Sequence, residues 1–271
     1  MLKKLFHYDF KAMSRTLFPF TLATLGCGVV LFLSIIVLSF APEDGALSVL
    51  LPILFGTLTV FSGLGIFLVP VASEFFILHR YYKNFFTDEG YLTFALPATM
   101  EEHLHSKILS GMLWTLLSCL AAVAALFIGA FLPSELLSSG NGMLLSVLSM
   151  LFSDFTQGVN EIYFLVLTVL TVLVSLISQL ILFYTAITLG SLFMSKHKII
   201  GSVLFYFVAN TIISVFSSIF STIFTIASAI SENIAFMIIM SLASAIIVNI
   251  AVAVIGYFII LSMLKKRLNL E

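Results

Sequence analysis

The sequence predicts an all-α, polytopic membrane protein with six transmembrane helices. Of its 271 residues, 61% are hydrophobic and only 9% are charged, whereas a soluble domain carries about 25% charged residues. Six segments contain no Asp, Glu, Lys or Arg, and each exceeds the roughly 20 residues that span the hydrocarbon as a helix. They are Thr16–Pro42, Gly45–Ser73, Ile108–Ser134, Ile162–Ser195, Ile199–Ser231 and Asn233–Leu264. Residues 1–271 are therefore read as a single transmembrane domain.

The loops that join six spans divide the charges unequally between the two sides. All 12 Lys and Arg residues and all 5 His residues fall on one side. The other side carries only acids, namely Glu43, Asp44, Glu135, Asp154, Glu161 and Glu232. The positive-inside rule predicts that the basic side, with both termini, is cytoplasmic. The net charge of −1 offers no basic field for nucleic acid.

Residues 1–15 are predicted to form an amphipathic interfacial helix. One face holds Leu2, Leu5, Phe6, Phe10, Met13 and Leu17, and the opposite face holds Lys3, Lys4, His7, Lys11, Ser14 and Arg15. Asp9 is a misfit on the apolar side. Such a helix anchors to anionic headgroups, and a role as a lever that contacts a partner is compatible with anchoring. The charged start and the long first apolar run argue against a cleavable signal peptide.

The second span contains Pro70, which predicts a kink, and is followed by Glu74. An acid about one turn inside the membrane edge is costly unless it is paired or reaches the interface. A carboxylate that reaches the interface or pairs with Arg80 or His79 is the simpler interpretation, and a proton or substrate site is the alternative. Cys27 and Cys119 lie inside predicted spans, so we expect them to pack as small apolar side chains.

The segment 79–107, between the second and third spans, is the main predicted contact element. Within it, TDEGYLTFALP opens with acids and a glycine, continues with aromatic and aliphatic residues and stops at Pro97. A short amphipathic helix of this kind can lie on the membrane surface or insert an aromatic side chain into another protein. Further along, His103 and His105 are two residues apart and point to different sides of a helix. We therefore expect a solvated cytoplasmic face there rather than a zinc site.

The segment 133–161 is predicted to be an extracytoplasmic loop. Its charge-free run, Leu136–Ser153, has an apolar part of about ten residues, which is too short to span the hydrocarbon. We expect a surface helix there. A seventh span would also move basic residues of the later loops to the outer side, against the positive-inside rule.

The fifth span carries a regular polar stripe at helical spacing. Small hydroxylated residues allow close helix packing, and the alternative is that the stripe lines a pathway for an amphipathic or hydrophobic cargo. The stripe consists of Asn210, Ser214, Ser217, Ser218, Ser221, Thr222, Thr225 and Ser228.

Motifs for chemistry are absent from the sequence. It contains no GxxxxGK[ST], HExxH or GxSxG. We therefore expect no catalytic residues, no metal site and no cofactor in this chain, which is not predicted to be an enzyme on its own.

The start FHYDFKAMSRTLFPF, the later YYKNFFTDEGYLTFALPAT and the helix that begins near Ser106 and Lys107 together resemble the permease subunits of bacterial ABC exporters. More narrowly, they are similar to stand-alone six-span permeases of Gram-positive bacteria, of the type-2 exporter class. The resemblance rests on motifs over about the first 110 residues and on the number of spans alone in the rest of the chain. It implies a bacterial cytoplasmic membrane.

The resemblance also implies partners. A separate ABC ATPase subunit would bind ATP and Mg²⁺ and dock on the coupling helix, whose contact residues would be Asp88, Glu89, Gly90, Tyr91, Leu92, Thr93 and Phe94. A second permease chain, identical or paralogous, would complete a pathway lined by the second and fifth spans. The cargo stays open among peptides, drugs and lipid-like molecules.

Two other classes remain as alternatives. The first is an ATPase-independent membrane scaffold or immunity protein, which would stay active after substitution of Tyr91 and Phe94 by Ala. The second is an ion-coupled secondary transporter, a class that often shows inverted repeats and a charge at the membrane midplane. The sequence shows no clear internal repeat and no midplane charge.

Overall fold

The structure is a computed structural model. It describes residues 2–42, 44–87, 89–95, 98–137, 161–194, 197–229 and 234–267. Within these residues the chain is helical and contains no strand. The helices are α1 (Leu2–Ser39), α2 (Leu47–Phe86), α3 (Glu89–Phe94), α4 (Met100–Leu126), α5 (Leu132–Leu137), α6 (Glu161–Phe193), α7 (Lys198–Ala229) and α8 (Ile234–Arg267), and a π-helical turn, Phe127–Phe131, joins α4 to α5.

Six of the helices in the described part of the chain are long and apolar enough to cross a membrane. They are α1, α2, α4 with the π-helical turn, α6, α7 and α8. The all-α fold with six candidate spans is confirmed, and the chain is a multi-pass membrane protein.

The helices continue beyond the charge-free segments that predicted them. The amphipathic segment 1–15 is continuous with the first span, because α1 starts at Leu2 and has no break at residue 15. Most of the segment 79–107 also belongs to the ends of α2 and α4, and only residues 87–99 connect these helices. A formed helix extends easily through charged residues, since each added residue gains a hydrogen bond without a new nucleation cost.

The structure describes only the two ends of the predicted extracytoplasmic loop. Helix α5 covers Leu132–Leu137 and α6 starts at Glu161. The surface helix expected within Leu136–Ser153 falls almost entirely on residues 138–160, which lie outside the described residues.

Two compact units divide the chain, and the division falls inside α1, α2 and α4. The first unit comprises Met1–Asp9, Leu78–Met112 and Phe152–Glu271. In this unit α6, α7 and α8 pack against one another. The backbones of α6 and α7 are in close contact at Gly190, where an added Cβ would lie 2.2 Å from the Ser202 nitrogen.

The second unit comprises Phe10–Ile77 and Leu113–Leu151. Leu31, Ile66 and Ala125, from α1, α2 and α4, form its buried apolar cluster. Hydroxyl groups bridge the same helices, because Thr59 Oγ1 donates to Ser34 Oγ at 2.9 Å and Ser73 Oγ lies 3.0 Å from Ser118 Oγ. The three helices therefore pack through small and hydroxylated residues, as membrane helices commonly do.

The close approach of α1 and α4 at Gly28 leads to a testable prediction. A Cβ added at Gly28 would lie 2.7 Å from both the Ala125 Cα and the Ala125 carbonyl oxygen. We expect Gly28→Ala to lower the free energy of unfolding by about 1–3 kcal/mol, because the two backbones must separate. Gly26→Ala is the matched control, since nothing lies within 4 Å of its added Cβ. Unfolding in mixed micelles measures both variants, and equal losses would show that packing at Gly28 is not tight.

Candidate functional site

Helix α3 lies in the connection between α2 and α4. The Gly90 nitrogen donates to the Thr87 carbonyl at 2.8 Å at its start, and Thr93 Oγ1 donates to the Glu89 carbonyl at 3.0 Å. Gly90 is buried, whereas the Tyr91 side chain is 57% exposed. This helix therefore places the Tyr91 ring at the protein surface.

The structure locates only part of the predicted contact set. Asp88 lies outside the described residues, and Leu92 and Phe94 are described by their backbone alone. Of the seven residues, the side chains of Glu89, Tyr91 and Thr93 can be placed, and Gly90 has none. Their role as a contact for a partner stays a prediction.

Glu89 connects α3 to the end of α2. Lys83 Nζ lies 2.7 Å from Glu89 Oε1, and both side chains are about half exposed. The Asn84 amide is assigned so that its nitrogen donates to Glu89 Oε2 at 3.2 Å and its oxygen accepts from Lys107 Nζ. Asn84 therefore bridges α3 and α4.

A buried ion pair joins the start of α1 to α4. Lys107 Nζ donates to Asp9 Oδ1, and Ser106 Oγ donates to Asp9 Oδ2 at 2.6 Å. The Lys107 side chain is only 7% exposed and that of Asp9 only 12%. We call Asp9, Asn84, Glu89, Ser106 and Lys107 the ionic cluster, in which α1, α2, α3 and α4 each contribute at least one residue.

Two tyrosines bring α6 to the ionic cluster. The rings of Tyr81 and Tyr184 stack with centroids 4.0 Å apart and planes 8° apart. Tyr81 Oη lies 2.9 Å from Thr188 Oγ1, and Tyr184 Oη donates to the Lys107 carbonyl at 3.4 Å. Both rings are buried. We call Tyr81 and Tyr184 the tyrosine pair.

The buried ion pair is suited to holding the helices in fixed positions and not to catalysing a reaction. Breaking a buried ion pair costs much free energy, since removal of one partner leaves a buried, poorly solvated charge without a counter-charge. The helices that share the ionic cluster are therefore expected to move together. No group of three or more His, Cys, Asp or Glu among the described residues is placed to hold a metal ion.

The sequence interpretation of Glu101–His105 as a solvated face is wrong at His103. His103, Ser106 and Lys107 are buried, because this turn of α4 faces α1 and α6. His105 is exposed, in agreement with the prediction that the two histidines point to different sides. The signal that could have identified the cluster is Asp9, an acid on an otherwise apolar helix face, which has its partner in Lys107.

The exposed side of α4 contacts the end of α8. Lys265 Nζ donates to Glu101 Oε1 at 2.7 Å, and both side chains are about half exposed. The His105 ring stacks on Tyr257, whose Oη lies 3.2 Å from His105 Nε2. These contacts are open to solvent and stabilise the fold weakly.

The polar stripe of the fifth span lies on α7, where most of its described side chains are exposed. Five of its hydroxyls donate to carbonyls three or four residues earlier in α7 itself: those of Ser214, Ser218, Ser221, Thr222 and Thr225. Ser228 is described by its backbone alone. The lining of a pathway by this stripe stays a prediction.

Glu74 makes a different contact from the two that the sequence suggested. Its carboxylate lies beside the Thr115 hydroxyl of α4, and the described residues include no ion pair between Glu74 and Arg80 or His79. Cys27 lies against Gly65, where an added Cβ would approach its sulfur at 2.7 Å. Both cysteines are free thiols, and Cys27 packs as a small side chain.

Known proteins offer no match. No protein-family model, curated protein or solved structure matches this chain.

Proposed function

We propose that this protein is the permease subunit of an ATP-driven ABC exporter. The observation that carries the proposal is the attachment of α3. This short helix exposes Tyr91 at the surface, while Glu89 ties it to Lys83 and, through Asn84, to the buried Asp9–Lys107 pair. A partner that pushes α3 would act on three spanning helices at once.

The proposed mechanism uses this attachment. A separate ATPase subunit binds ATP and Mg²⁺ and contacts α3 on the cytoplasmic side of the membrane. Closure of two ATPase subunits displaces α3, and the ionic cluster transmits the displacement to α1, α2 and α4. The spans then alternate between two arrangements, because binding of ATP to the partner favours one of them.

A second permease chain, identical or paralogous, completes the proposed transporter. The exposed polar stripe of α7 would face the pathway between the two chains. Hydroxyl groups without charge suit an amphipathic or hydrophobic cargo, such as a peptide, a drug or a lipid-like molecule.

Co-purification from native membranes tests the proposal. We expect the tagged wild-type chain to retain an ABC ATPase subunit, and Tyr91→Ala to weaken this binding about 30-fold, which is the effect of losing an aromatic anchor worth about 2 kcal/mol. Tyr163→Ala is the matched control, since Tyr163 is also exposed but lies near the start of α6. This control should bind the ATPase like wild type.

Two outcomes would contradict the proposal. If no ATPase accompanies the wild-type chain, the scaffold or immunity alternative becomes the better explanation. If Tyr91→Ala and Tyr163→Ala retain the ATPase equally well, the contact does not involve α3.

A further inference from the structure

We propose that the exposed basic face of α1 binds the headgroups of anionic phospholipids. This face comprises Lys3, Lys4, His7, Lys11 and Arg15, all of which are exposed. At 3.6 residues per turn they fall within an arc of about 120°. The inference does not depend on the proposed transport function.

The other face of the same helix is covered by protein. Asp9 is bonded to Lys107, Met13 and Leu17 are buried, and the Phe10 ring stacks on Trp114 with centroids 5.2 Å apart. Between Asp9 and Leu17, the apolar face therefore packs on protein. The basic residues are the exposed charged side chains of this segment.

The exposed side chains along α1 change from basic to apolar in the order in which a membrane leaflet changes from headgroups to hydrocarbon. Towards its carboxyl end the same face continues with Phe18, Leu22 and Val29, which are exposed apolar residues of a membrane span. The change from apolar to basic occurs between Phe18 and Arg15, at the edge of the charge-free segment. Lys11 and Arg15 therefore lie at the depth of the headgroups, and Tyr8 is an exposed aromatic side chain beside them.

Within the described part of the chain, the charge of this face is not compensated. No acidic side chain among the described residues pairs with Lys3, Lys4, Lys11 or Arg15, and the nearby Asp9 is directed to the opposite side of the helix. Each Lys or Arg close to an anionic surface strengthens binding about fivefold. An anionic lipid fits this surface better than a protein partner, because the basic residues continue directly into a lipid-facing apolar strip.

Titration of the purified full-length chain with short-chain phosphatidylglycerol tests this site, with thermal unfolding in neutral detergent as the readout. We expect phosphatidylglycerol, but not phosphatidylcholine, to raise the Tm of the wild type. Lys11→Gln with Arg15→Gln should weaken the apparent affinity at least tenfold, since two cations contribute about fivefold each. The charge-preserving pair Lys11→Arg and Arg15→Lys should bind like wild type.

A control variant that loses the same number of positive charges elsewhere distinguishes a specific lipid site from general electrostatic attraction of the protein to anionic lipid. Lys196→Gln with Lys198→Gln removes two cations at and just before the first residue of α7 and should leave the affinity unchanged. An equal loss in this control, or no loss in the Lys11 and Arg15 variant, would overturn the proposal. Soluble glycerol phosphate at the same concentration should not shift the Tm, and an equal shift would assign the face to free phosphate instead of lipid.

Discussion

Lys107→Met should lower the free energy of unfolding by about 3–5 kcal/mol, because it leaves the buried Asp9 carboxylate without its counter-charge. Ser106 still donates to Asp9 Oδ2, but one neutral hydroxyl does not replace an ammonium group. Methionine keeps the approximate length of the lysine stem, so the change removes charge with little loss of volume. Chemical unfolding in mixed micelles, followed by circular dichroism, provides the measurement.

Two further variants separate this effect from general disturbance of the region. Lys83→Met removes a lysine from the half-exposed pair with Glu89 and should cost less than about 1 kcal/mol. The double change Asp9→Asn with Lys107→Met removes both charges and should recover most of the lost stability. The interpretation fails if Lys107→Met unfolds like wild type, or if the double variant is no more stable than the single one.

Tyr81→Ala should also destabilise the protein by about 3–5 kcal/mol, the usual cost of deleting a buried aromatic ring. The change opens a cavity against Tyr184 and removes the contact through which α6 packs on α2. We expect a similar loss in the same unfolding experiment.

The hydroxyl and the ring of Tyr81 contribute unequally. The Thr188 hydroxyl already donates to the Tyr184 carbonyl at 2.8 Å, so Tyr81 donates the bond that joins it to Thr188. Tyr81→Phe removes only this bond and should cost about 1 kcal/mol. Tyr82→Ala, at a half-buried neighbour, should cost clearly less than Tyr81→Ala. Equal losses of unfolding free energy at both positions would mean that stacking of Tyr81 on Tyr184 does not contribute more to stability than the contacts of a half-buried ring.

The number and order of the spanning helices could be predicted from composition, because runs without charge long enough to cross the hydrocarbon must be helical. The residues at which α2 ends and α4 begins could not be predicted in this way. Both helices continue through charged residues between Ser73 and Ile108, where hydropathy carries no signal and helix propagation decides the boundary. The sequence also placed a separate interfacial helix at the start, where the structure has the first turns of α1.

The ionic cluster was only partly visible in the sequence. Asp9 was recognised as a misfit on an apolar face, but the sequence did not identify its partner, Lys107, which is far along the chain. The tyrosine pair gave no signal at all, since a single sequence does not reveal that Tyr81 and Tyr184 meet. Contacts between distant segments depend on how the helices pack, and periodicity describes only one helix at a time.

The hydroxyl groups along α7 have a consequence for motion within the bilayer. Because these side chains donate to carbonyls of their own helix, their bonding needs are met whichever neighbour lies alongside. Rotation or sliding of α7 past another helix therefore breaks none of these bonds and exposes no new polar group to lipid. These hydroxyl groups therefore add little to the barrier for exchanging neighbours, which is set by the other contacts of α7, such as the hydrogen bond that Gln179 of α6 donates to Tyr206 at 2.8 Å.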